Sequence, residues 1–64
     1  MTQKELAYIE DAIGHERNII SICEDTVEKL EDENLIKFLN DELEIHRKTK
    51  EKLMNILEVK ANEW

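Results

Sequence analysis

Two glutamates and a histidine interrupt an otherwise apolar pattern, and they are the residues that could carry chemistry. Glu16, Glu42 and His46 fall on or beside positions where the surrounding rhythm places Leu, Ile or Val. A carboxylate taken out of water without a partner is costly, so each of these needs one. Carboxylate oxygens and an imidazole nitrogen suit iron or manganese, and zinc less specifically. Di-iron and di-manganese bundles take a Glu from each of two helices and a Glu-x-x-His from each of the other two. Here Leu43 stands three before His46 and Glu42 four before it. Glu42 and His46 therefore share a helix face, but the bridging geometry is compromised. Three expectations stay open. Glu16, Glu42 and His46 are metal ligands for iron or manganese; they form a buried Glu–His pair that fixes register, as polar seam residues do in coiled coils; or they are solvent-exposed polar residues, or residues of a different register.

The elements that must position them are helices. Leu6, Ile9, Ile13, Glu16, Ile20, Cys23, Val27 and Leu30 recur at spacings of 3, 4, 3, 4, 3, 4, 3. That is an a/d seam held for about eight turns. The second half carries two overlapping stripes. One runs Leu35, Leu39, Glu42, His46, Thr49, Leu53, Ile56, and the other Ile36, Leu39, Leu43, His46, Lys50, Leu53, Leu57. A buried face that wide suits a bundle helix with several neighbours better than a two-stranded coiled coil.

Thr2 and Glu5 have capping-box spacing at the start, and Asp32 can cap a second helix with Glu33 in its first turn. The expectation is a helix over about 3–31, a turn at about 31–33, and a helix over about 33–60, a single domain spanning 1–64. A short connection makes the helices antiparallel neighbours rather than one continuous rod. In a hairpin turning near Glu31, residue numbers adding to about 62 lie level, which sets Glu16 opposite His46 and one turn from Glu42. Residues 61–64 are expected to fray, with Trp64 a loose end.

Length and charge bound what such a hairpin can be. Sixty-four residues lie below the ~70–80 at which a single core begins to suffice unaided. Cys23 is the sole cysteine, so no intramolecular disulfide can help, and no Cys/His spacing suggests structural zinc. Oligomerisation remains. Two hairpins closing into an antiparallel four-helix bundle around a twofold axis would cover both apolar faces. The net charge of −7 argues against nucleic acid or an anionic membrane as partner. High charge (39%) with few aromatics (5%) is the signature of disorder, but the sustained seam argues against it. Nothing long and apolar enough to insert in a membrane exists, and the N-terminus is no signal peptide. The half up to Glu31 carries net −5 and the rest net −2, a weak preference for unlike helices side by side.

The remaining polar and small residues have plain readings. His15 is a rim histidine, Cys23 a small core residue, and Tyr8 and Phe38 packing residues. Gly14 costs about 1 kcal/mol relative to Ala; it could permit a close helix approach at the polar layer or be neutral drift. Arg47-Lys48-Thr49-Lys50-Glu51-Lys52 is a solvated face. With no nucleophile–base constellation and no phosphate loop, an enzyme is not expected.

The opening Met1-Thr2-Gln3-Lys4-Glu5-Leu6 and the following Ile9-Glu10-Asp11-Ala12-Ile13-Gly14-His15-Glu16 resemble the start of the small ferritin-like spore coat proteins of endospore-forming bacteria, the coat protein F type. Their first helix carries a "TxKEL…EDxxxHE" pattern. Leu30-Glu31-Asp32-Glu33-Asn34-Leu35 is similar to their "DPEL" turn, with Glu33 in place of Pro. His46 matches the first His of their "KHQQHxxxL", and Thr49 replaces the second. The resemblance implies an all-α antiparallel two-helix hairpin that dimerises into a ferritin-like four-helix bundle. It also implies a structural role beside other coat proteins in the spore coat; the lack of a signal peptide or membrane-spanning segment leaves the cytoplasm as the other expected location. The rival readings are an iron- or manganese-binding module built from the same polar layer and a small adaptor that docks on a larger partner.

Overall fold

The structure, a computed structural model, describes residues 1–61. Two helices pack against each other, α1 (Gln3–Lys29) and α2 (Glu33–Ala61), with no strand among the described residues. Thr2 caps α1 reciprocally. Its Oγ1 accepts the Glu5 amide at 3.1 Å, and its own backbone N–H donates to Glu5 Oε1 at 2.9 Å. These bonds satisfy two donors that the first helical turn otherwise leaves open. The Thr2 backbone N–H and, secondarily, its hydroxyl hold the Glu5 carboxyl below the usual carboxylate range.

The first helix ends two residues before the sequence expectation. Leu30 is already extended, at φ −86° and ψ 145°, with its N–H on the Val27 carbonyl at 3.3 Å. Only Leu30, Glu31 and Asp32 remain to reverse the chain, so the last turn of the expected helix is spent on the connection. Asp32 restarts the helix as expected: its Oδ1 accepts the amides of Asn34 at 2.9 Å and Leu35 at 3.0 Å. Ala61 is helical, and the fraying expected of residues 62–64, Trp64 included, lies outside the described residues.

The α1 seam faces α2 along its whole length. Ile13 and Ile20 are buried, and the other six members are half-buried, Glu16 and Cys23 among them. On α2 only one of the two overlapping stripes does this work. Leu43 is buried, and Ile36, Leu39, His46, Lys50, Leu53 and Leu57 are half-buried, whereas Leu35 and Ile56 are exposed. A helix surface can present only a narrow row to a single neighbour, so the second row is left over. Tyr8 (65% exposed) and Phe38 (58%) do not pack within the hairpin, contrary to their reading as packing residues. Gly14 brings no backbone close, for a Cβ there would meet nothing within 4 Å.

Only Ile13, Ile20 and Leu43 are buried among the described residues, and no large side chain is fully enclosed. The hairpin measures 48 × 15 × 11 Å, with a radius of gyration of 14.8 Å. A compact chain of this length would have a radius of about 11 Å. No helix of the described residues is long and apolar enough to cross a membrane.

Candidate functional site

Midway along the hairpin the two seam interruptions meet. His46 Nδ1 lies 2.6 Å from Glu16 Oε2. A carboxylate oxygen can only accept, so Nδ1 carries the hydrogen and donates it. Glu42, one helical turn before His46, holds its Oε2 4.0 Å from the other ring nitrogen, Nε2. The imidazole is thus bracketed by two carboxylates, one bonded and one within reach. Side-chain exposure rises from 16% at Glu16 through 26% at His46 to 38% at Glu42. The array runs from the helix–helix seam out to one side of the hairpin.

The structure therefore brings together all three residues that the sequence singled out. The antiparallel register sets Glu16 opposite His46, and the i, i+4 spacing sets Glu42 beside it. Within one chain, the described residues contain no arrangement of three His, Cys, Asp or Glu side chains that could hold a metal ion. His15 is exposed, as a rim histidine should be. Cys23 is a half-buried free thiol.

The two sides of the hairpin differ in chemistry. On one, Arg17, Glu24, Arg47, Glu51 and Glu58 surround a groove floored by Ile13 and Ile20, and Arg47 Nη2 reaches across to Glu24 Oε2 at 3.4 Å. Lys48 pairs with Glu44 at 3.2 Å on the outer surface; Arg47, Lys48, Glu51 and Lys52 of the basic run are exposed as expected, whereas Thr49 and Lys50 are half-buried. Such exposed pairs contribute about 0–1 kcal/mol each.

The opposite side is richer in apolar residues. On α1, Tyr8, Ala12, His15, Ile19, Ile22 and Thr26 recur at 4, 3, 4, 3, 4, each just before a seam residue. On α2, Leu35, Phe38, Glu42, Ile45, Thr49, Lys52, Ile56 and Val59 recur at 3, 4, 3, 4, 3, 4, 3. A residue advances about 100° around a helix of 3.6 residues per turn. In an antiparallel pair this turns both rows to the same side of the hairpin. Tyr8 and Ile56 line one groove there, together with Met1, Ile9 and the charged Glu5 and Lys60. The hydroxyls of Thr26 and Thr49 donate to the carbonyls of Ile22 (2.7 Å) and Ile45 (3.0 Å), so neither needs water. The face carries Tyr8, Ile19, Ile22, Leu35, Phe38, Ile45, Ile56 and Val59, all exposed, and Glu42 and His46 open onto its middle. Sequence reasoning missed this surface, although the regular row one residue before the α1 seam positions from Ile9 to Val27 was its signal.

No protein-family model matches the chain, and no curated protein or solved structure matches it.

Proposed function

We propose that this chain is a non-enzymatic structural or interaction protein that works as a homodimeric four-helix bundle. Two hairpins would stack on their open apolar faces. The observation that carries this reading is the coplanarity of the two leftover apolar rows, which gives one hairpin a continuous face that it cannot cover itself. Contiguous exposed apolar surface of that kind marks an interaction site rather than an ordinary solvated surface.

Surface area supports the same reading. The chain exposes 5133 Å², against about 4,300 Å² for a compact monomer of this mass. The difference, roughly 800 Å², is what one partner contributes to a standard protein interface. A second copy is the natural occupant because it brings a face of matching length, apolar content and central polar layer. A place beside coat proteins of the ferritin-like spore type is the biological setting that the sequence resemblance suggests for such a bundle.

Charging the face tests the proposal without touching the seam inside each hairpin. Phe38→Glu and Ile19→Glu should each raise the dimer dissociation constant at least a hundredfold in sedimentation equilibrium. Glu24→Gln, on the opposite side, should leave it unchanged. If the two face variants and the control all dimerise alike, the proposed face is wrong.

A further inference from the structure

The central polar layer has a feature that a register-fixing pair does not need. A Glu–His hydrogen bond alone would satisfy both partners in the seam. Here the imidazole also turns its second nitrogen, Nε2, to within 4.0 Å of Glu42 Oε2, on the side that opens to the apolar face. With Nδ1–H held by Glu16 at 2.6 Å, Nε2 is the nitrogen left with a lone pair in the neutral ring. A carboxylate that fixes one ring nitrogen and leaves the other for a metal is the usual outer-shell partner of a ligating histidine.

The dinuclear arrangement of ferritin-like bundles does not fit these residues. Glu16 is engaged by His46, and Glu42 lies four rather than three residues before it. A mononuclear arrangement does fit. From the geometry we infer that the dimer binds one divalent first-row transition cation at its centre, through His46 Nε2 and the Glu42 carboxylate of each of two copies, with Glu16 as a positioning residue. This rests on the dimer proposed above. Glu16 and His46 sit near the midpoints of α1 and α2, so a twofold axis along the bundle, or one crossing it at mid-height, brings the layer onto its own copy. Two imidazoles and two carboxylates make a four-ligand set, the number that tetrahedral zinc or cobalt takes. Metal–nitrogen and metal–oxygen bonds of about 2.0–2.2 Å place adjacent tetrahedral ligands roughly 3.4 Å apart. Closing from 4.0 Å therefore asks only a small rotamer adjustment of Glu42, whose side chain is the most exposed of the three. Two Glu42 carboxylates meeting in an apolar interface would otherwise repel, and the cation removes that penalty.

The experiment is native mass spectrometry and visible absorption on the full chain, first stripped with chelator and then titrated with Co²⁺. A dimer should take up one ion, with the intense visible bands of tetrahedral cobalt. His46→Gln keeps a donor for Glu16, and Glu42→Gln changes a half-exposed group. Each should abolish the bands while circular dichroism stays helical. Glu16→Gln should keep one ion per dimer but weaken binding about 10–100-fold, as loss of an outer-shell partner does. Glu44→Gln, on the outer surface away from the face, should change nothing. A dimer that stays metal-free, or one whose binding survives His46→Gln, overturns the site and leaves the dimer standing. A species of single-chain mass with and without Co²⁺ overturns both.

Discussion

At the residue scale, the molecule is shaped by where polar and small side chains are allowed to interrupt a seam. Glu16 sits inside because His46 Nδ1–H meets it at 2.6 Å, which supplies the partner that a half-buried carboxylate requires. Gly14 has no such justification. It lies within α1 at no positive φ, and open space surrounds the position of a Cβ. Gly14→Ala should therefore stabilise the fold by about 1 kcal/mol, the difference in helix propensity. Thermal unfolding followed by circular dichroism would show the midpoint rising by several degrees, and an unchanged or lower midpoint would mean that Gly14 serves a contact outside the chain. The Glu16–His46 pairing was legible in the sequence because a turn near Glu31 and an antiparallel return fix which residues lie level. Which ring nitrogen Glu16 takes was not legible, since it depends on side-chain torsions that spacing does not determine.

The caps and the direction of each stripe belong to the scale of the elements. Both helix starts follow from local chemistry, Thr2 with Glu5 and Asp32 with the amides of Asn34 and Leu35, and both were readable because capping is a short-range bargain between neighbours. Glu5 gives it a pH signature. Its carboxyl is held below the usual range, chiefly by the Thr2 backbone N–H. A carboxyl depressed in the folded state contributes stability that is fully present above its unfolded value, about 4.3. That contribution is lost as pH falls through the lower folded value. Carboxyl NMR titration should show Glu5 protonating below about 4.3, the usual glutamate value, with the first turn of α1 fraying in step. Thr2→Ala should return Glu5 towards that value. A Glu5 that titrates normally in the parent chain would mean the capping box is not formed in solution. The stripe of α2 was ambiguous for a different reason. Two heptad rows overlap on Leu39, His46 and Leu53, and periodicity alone cannot say which of them a single neighbouring helix will cover. Burial of Leu43 beside exposed Leu35 and Ile56 settles it.

Across the whole molecule, the hairpin is long, thin and poorly enclosed. Three buried side chains among the described residues and a radius of gyration of 14.8 Å do not make a core that holds helices of 27 and 29 residues rigid by itself, and below about 70 residues other chains usually solve this by association or a staple. The same leftover rows that made α2 ambiguous in the sequence become informative once both helices are seen together, because they share one side. Tyr8 and Phe38 had the right character for packing, but their partner is not found within the chain. The most direct measurement is sedimentation equilibrium of the parent chain from millimolar to low micromolar concentration, with and without chelator. We expect a mass of twice 7.6 kDa that persists on dilution and gives way to the single-chain mass only as the helical circular dichroism falls. A folded, cooperatively melting species of 7.6 kDa at low micromolar concentration would contradict the dimer.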